Sequence, residues 1–267
     1  MKRLLFAFAA AAALSACSPA EKASEPDAAA EAVAPAAVSG PNPGAVAKRM
    51  PLPDCADTHT TDAGPDGWDH PDCRMMRHDD SGVAFEVRWT KEAESPSEEM
   101  SEVTIQVVAR GDATLQTVTE EVGGTFEGPY LQDIDEDDVE ELLVPLETGN
   151  VNTSWAVWRA PNAEADYARI GVLSGVDIGR TADGYIFTSA RSSAASWVVS
   201  FYRLEGEGLK AVVDVEAAAA GVDETGHVTE QNSCKVVDAG GLAETGLTAA
   251  QAEAKFCGDP AVRGIFE

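Results

Sequence analysis

From residue 84 onward, apolar side chains recur at every second position in short runs separated by turn-forming residues. Phe85, Val87 and Trp89 alternate with Glu86 and Arg88, and Val103, Ile105 and Val107 alternate with Thr104 and Gln106. A period of two is that of a pleated strand, whose successive side chains point to opposite faces. Both runs therefore predict half-buried strands, with the polar stretch 91–100 as the loop between them. The same pattern predicts strands over 114–119, 141–146, 155–159, 167–173, 185–190, 197–204 and 209–215. Gly149-Asn150, Ala182-Asp183-Gly184 and Glu205-Gly206-Glu207-Gly208 fall where hairpin turns are needed.

Trp155 and Trp158 lie on opposite faces of one predicted strand, as do Trp197 and Val198, so these strands need cover on both sides. Core packing is the expected role of these tryptophans, ahead of a carbohydrate-stacking platform. A helix is predicted only where Thr248 can cap residues 249–256, next to Cys257. The predicted class is mainly β: an antiparallel meander or sandwich with one short C-terminal helix.

The first 50 residues break this pattern. Met1-Lys2-Arg3 is a short positive start, and the apolar run 4–13 is too short to span a bilayer, so residues 1–16 read as a secretory signal. The run ends in Leu14-Ser15-Ala16-Cys17, which resembles a bacterial lipobox. That resemblance implies cleavage before Cys17, diacylglycerol on its thiol and acyl chains such as palmitate. Each buried CH₂ contributes about 0.8 kcal/mol to anchoring. Ser18 in the next position resembles the pattern sent on to the outer membrane, with the domain facing the periplasm. The alternative is ordinary secretion with Cys17 discarded. Residues 17–50 are dominated by Ala, Pro, Glu and Ser, lack aromatics and carry five prolines, which predicts a lipidated, partly extended, disordered linker. Residues 51–267 then form a single domain.

Composition narrows the partners. The chain carries 19 basic and 46 acidic side chains, a formal charge of −27 that excludes a basic nucleic-acid binder. Loss of Lys2 and Arg3 with the signal makes it −29, so anionic head groups repel the mature protein everywhere except at its tether. Contact with the membrane is expected through the lipid anchor only.

With Cys17 lipidated, Cys55, Cys73, Cys234 and Cys257 remain, an even number in an oxidising compartment. Two disulfides are expected. Of three pairings the sequence-local set, Cys55–Cys73 and Cys234–Cys257, is preferred, because each closes a loop near one end of the domain. Cys55-x3-His59 and His70-x2-Cys73 also have the spacing of a zinc site, the sharper alternative. His78 and His227 have no comparable partners and read as surface or turn residues. Residues 54–80, rich in Asp, Gly, Pro and His around the turn Pro65-Asp66-Gly67, read as a stapled loop.

The chemically specific segment begins at Asp133. Seven of the nine residues from Asp133 to Glu141 are acidic. Their repulsion resists a tight turn without a counter-ion. Carboxylates at loop positions one, three, five and nine with a backbone carbonyl at seven can wrap a hard cation, which places the ligands at Asp133, Asp135, Asp137, Val139 and Glu141. The ion such oxygens suit is Ca²⁺. A solvated acidic hairpin is the competing reading. An EF-hand is excluded, since position twelve is Val144 and the flanks are strand-like.

The segment resembles the calcium loop of FG-GAP and VCBS repeats, a D-x-D-x-D-x-x-x-(D/E)-L pattern joining two strands of a β blade. The resemblance covers about a dozen residues strictly and residues 130–209 loosely, through Gly149-Asn150-x-Asn152 and the aromatic strands after it. The family often has Gly at positions four and six, where this chain has Glu136 and Asp138. Only one copy of the motif is present, so neither the propeller fold nor ligand binding is carried over.

No H-E-x-x-H, G-x-S-x-G, P-loop or Rossmann fingerprint occurs. No catalytic residue is assigned. The expected function is a non-enzymatic cell-envelope lipoprotein with a calcium-stabilised β domain for binding an extracellular ligand or for structural support. The alternatives are a periplasmic inhibitor that captures a basic protein such as lysozyme on its acidic surface, and a carboxylate-dependent hydrolase.

Overall fold

The computed structural model describes residues 51–62, 68–91, 101–162, 164–206, 208–219, 221, 223–227 and 233–266. The signal, Cys17, the linker to residue 50, the turn Pro65-Asp66-Gly67 and most of the 91–100 loop lie outside them.

The chain from Met50 forms one compact unit. It is built from three antiparallel meanders made in chain order. The first sheet holds β3 (Cys73–Met76), β4 (Ala84–Lys91), β5 (Ser101–Val108) and β6 (Thr114–Val122). The second holds β7 (Tyr130–Gln132), β8 (Glu141–Thr148), β9 (Thr153–Arg159) and β10 (Ala168–Gly175). The third holds β11 (Asp177–Arg180), β12 (Ile186–Arg191), β13 (Ser196–Glu205), β14 (Gly208–Ala218) and β15 (Ser233–Asp238). Within each sheet, strands consecutive in the chain are neighbours in space, because an antiparallel pair needs no crossover. A two-residue ladder, β1 (Thr61–Asp62) with β2 (Trp68–Asp69), precedes them.

Alternation decides the stacking. Phe85, Val87, Val103 and Ile105 of the first sheet meet Leu142, Val144 and Ala156 of the second. The intervening residues Leu143, Trp155 and Val157 point the other way, to Ile178 and Ile186 of the third sheet. Sheet two is thus the middle layer, which is why β8 reads Leu142-Leu143-Val144 without a polar break: covered on both faces, its first five residues are all buried. Trp155 and Trp158 do lie on opposite faces, packed in the two different cores.

The far face of sheet three is closed by α1 (Ala249–Phe256) and α2 (Pro260–Arg263). Thr248 starts α1 with a reciprocal cap: its hydroxyl accepts the Gln251 N–H at 3.3 Å, and Gln251 Oε1 accepts the Thr248 N–H at 2.9 Å. Disulfides join Cys55 to Cys73 and Cys234 to Cys257. The zinc alternative is thereby corrected, since thiols consumed in a disulfide are not available as thiolate ligands. The 54–80 segment is also more ordered than a loop. It contains a 3₁₀ turn at Cys55–Asp57 and strand β3, held by the Asp54–Arg74 bridge and by pairing with β4.

Candidate cation site and adjoining cleft

The acidic segment is the turn between β7 and β8. Its shape follows from carboxylates taking up backbone donors that no strand supplies. Asp133 accepts the N–H groups of Asp137 at 3.1 Å and Asp138 at 3.0 Å, and Asp137 Oδ1 accepts that of Val139 at 2.9 Å. Glu136 and Asp138 have φ of 56° and 68°. Both lie in the left-handed region that favours glycine, although neither residue is glycine.

Asp133, Asp135 and Glu141 each bring a carboxylate oxygen within 4.8 Å of the others. Of the four predicted carboxylate ligands these three converge; the fifth predicted ligand is the Val139 backbone carbonyl. Asp137 is not among the three; its Oδ2 lies 2.5 Å from Arg159 Nη2. The Val139 side chain packs against the core between sheets one and two.

Glu141, the first residue of β8, has no exposed side-chain area. One oxygen, Oε2, accepts the Ile134 N–H at 2.9 Å; Oε1 accepts no hydrogen bond, nor does Asp135 Oδ1. Burial pushes the Glu141 carboxyl up to about 8, Asp135 and Asp137 push the same way, and the Ile134 amide and Arg159 oppose them. Burial likewise raises the Asp135 carboxyl, against the pull of Arg159.

Arg159 is the residue sequence reasoning missed. It ends β9, and the register that sets Trp158 opposite Leu142 brings Arg159 beside Glu141. Its Nε donates to Asp135 Oδ2 at 2.9 Å and stands 3.4 Å from Glu141 Oε1. Only the β8–β9 pairing reveals it, since 18 positions separate it from Glu141 in the chain.

The turn also touches the flanking sheets. Glu136 pairs with Arg180 of β11 at 2.8 Å, and Glu140 accepts from the His78 backbone at 2.8 Å and pairs with its ring at 2.7 Å. His78 is exposed as expected, but it does have a partner, and Glu140 raises the imidazole pKa through that hydrogen bond and its charge. His227 is exposed in a turn with Asp223.

Beside Glu140 opens a cleft of about 440 Å³ between β3 and β7, with Met75, Met76, Trp89 and Leu131 among its walls and the Cys55–Cys73 disulfide at one side. His70 is stacked on Trp89 with ring centroids 3.9 Å apart, and its nitrogens lie 3.2 Å from Thr60 Oγ1 and 2.9 Å from the Thr125 carbonyl. One face and both nitrogens of this imidazole are thereby engaged in structure.

No protein-family model matches the chain, and no curated protein matches it. A solved structure described as that of a Xanthomonas Type IV Secretion System related protein is similar at 12% identity and a TM-score of 0.41, covering 67% of this chain and 92% of its own. That likeness is too distant to carry an argument.

Proposed function

We propose that the chain is a lipid-anchored protein of the bacterial cell envelope whose β domain has a non-enzymatic binding or structural role and is stabilised by calcium in the β7–β8 turn. The observation that carries the cation reading is Glu141: a fully buried carboxylate with one oxygen lacking a hydrogen bond, converging with Asp133 and Asp135 within 4.8 Å. A carboxylate oxygen removed from water needs a donor or a cation, and an all-oxygen set suits a hard ion. Asp133, Asp135 and Glu141 are the residues that would hold it. The left-handed backbone at Glu136 and Asp138 supports the same reading, because these are the positions at which the FG-GAP and VCBS pattern often has glycine.

The anchor reading rests on the Leu14-Ser15-Ala16-Cys17 box and the proline-rich linker behind it. No helix among the described residues is long and apolar enough to cross a membrane. Outer-membrane sorting rests on Ser18. Mass spectrometry of the mature chain, beside Cys17→Ser, tests the anchor: the expected species begins at Cys17 and carries acyl chains, and an unmodified chain overturns it.

Thermal unfolding with disulfides intact, in chelator and then in 10 mM calcium, tests the cation reading. For a dissociation constant on the order of 10⁻³ M, characteristic of extracellular modules, the gain is about 1.4 kcal/mol. That is a rise of roughly 3–6 °C for a domain of this size. The rise is expected in the native protein and not in Asp135→Asn. Identical melting with and without calcium overturns the reading.

A further inference from the structure

We propose that Arg159 is the resident counter-ion of the β7–β8 turn, and that a divalent cation enters only by displacing its guanidinium, so that Arg159 sets the concentration at which the site fills. The inference rests on the reading of this turn as a calcium site. It goes beyond that reading by assigning the residue that decides affinity and ion choice.

Arg159 and the cation would compete for the same groups. Two of the three converging carboxylates, Asp135 and Glu141, are the ones that Nε and Nη2 approach: Nε and Nη2 both lie 2.9 Å from Asp135 Oδ2, and Nε lies 3.4 Å from Glu141 Oε1. The same Nη2 also engages Asp137, a predicted ligand outside the converging three, at 2.5 Å. These groups are largely out of water, with Arg159 at 17% exposure, Asp135 at 12% and Glu141 at 0%. At such burial, charges interact several-fold more strongly than at the surface.

The guanidinium is an incomplete occupant. Its donors lie in one plane, whereas the carboxylates converge from several directions. Asp135 Oδ1 and Glu141 Oε1 are left without hydrogen bonds as a result. One positive charge among Asp133, Asp135, Asp137 and Glu141 also leaves the cluster net negative. A spherical dication meets both deficits. A monovalent ion brings no more charge than Arg159 itself and has nothing to gain by the exchange. Arginine does not release its proton, so the site is vacated by motion of the side chain rather than by titration.

The test is calorimetric titration of the full-length protein with calcium, for the native chain, Arg159→Met and Arg159→Lys, with excess sodium as a control. Arg159→Met is expected to bind at least about tenfold more tightly, since an adjacent unit charge opposing a dication is removed. Arg159→Lys, which keeps the charge and loses the two-pronged contact, should fall between. In the native chain the Nε–H resonance of Arg159, identified by its absence from the variants, should move on calcium addition. Unfolding in chelator checks that Arg159→Met is folded; if it is not, Arg159→Lys carries the comparison. Native and variant binding of equal strength, or weaker binding by the variant, overturns this inference and leaves the calcium reading standing. Binding by the variant alone supports the inference and limits the native site to an Arg-filled state. Binding by neither overturns both.

Discussion

Glu141 Oε2 accepts the backbone N–H of Ile134 at 2.9 Å, so the acidic turn is closed from the inside by its own last carboxylate. Ile134 is buried in the core between sheets two and three, and this bond fixes where the turn leaves β7. Glu141→Gln retains a carbonyl oxygen for Ile134 and removes a buried ionisable carboxyl. In chelator the variant should melt at or above the native temperature, because a buried carboxyl with one oxygen lacking a hydrogen bond, held up to about 8 by burial, disfavours the fold when it ionises. Its calcium response should vanish. Melting several degrees below the native protein in chelator would show instead that attraction to Arg159 outweighs the cost of burying the charge.

Asp138 has a φ of 68°, a conformation that side chains with a Cβ adopt at a cost. Asp138→Gly is therefore expected to stabilise the protein by about 0.5–1 kcal/mol and Asp138→Ala to destabilise it by a similar amount. Urea unfolding midpoints check both. A loss on Asp138→Gly would mean that the carboxylate, rather than the backbone, holds this turn.

Strands that alternate were legible in the sequence, and the ends of β4, β5, β8, β9, β12, β13 and β14 fall close to the patterned segments. Strands β3, β7, β11 and β15 were not. Each is short or lies at a sheet edge, and Tyr130-Leu131-Gln132 or Asp177-Ile178-Gly179-Arg180 is too brief to display a period. Three stacked sheets were foreshadowed by Trp155 and Trp158 pointing both ways, but layer order is set by contacts that a single strand does not encode. At the site, carboxylate spacing along the turn marked Asp133, Asp135 and Glu141, since local spacing suffices when ligands share one loop. Arg159 and the cleft between β3 and β7 depend on register and sheet stacking, and these are long-range properties.

Phe256 packs on Phe201 with ring centroids 4.7 Å apart and edge-on to Tyr185 at 5.2 Å, and the adjoining Cys257 is bonded to Cys234 on β15. The C-terminal end of helix α1 is thus held by a disulfide and by aromatic packing at adjoining residues. Replacing both cysteines by serine should cost about 3 kcal/mol, and Phe256→Ala about 3–5 kcal/mol. In the serine variant, amide hydrogen exchange should accelerate first in α1 and β15, ahead of sheets one and two. Uniform acceleration would show that the helix and the sheets open as one unit.

Asp214 of β14 sits opposite Asp238 of the edge strand β15. Partial burial, with the Asp238 charge adding to it, raises the Asp214 carboxyl above the ordinary range, and a hydrogen bond with the Ser200 side chain opposes the shift. A carboxyl whose folded pKa lies above its unfolded value binds more protons in the folded state across that interval. Stability therefore falls as pH rises from the unfolded value, about 3.9, through the folded one, and the penalty is complete at neutral pH. Asp214→Asn should accordingly stabilise the protein at pH 7, by no more than about 1 kcal/mol because water still reaches the pair. The gain should shrink toward zero as pH is lowered past the ordinary carboxylate range. Urea unfolding at pH 7 and pH 3.5 checks the sign: an equal gain at both values would assign the effect to the Asn side chain itself, not to relief of charge.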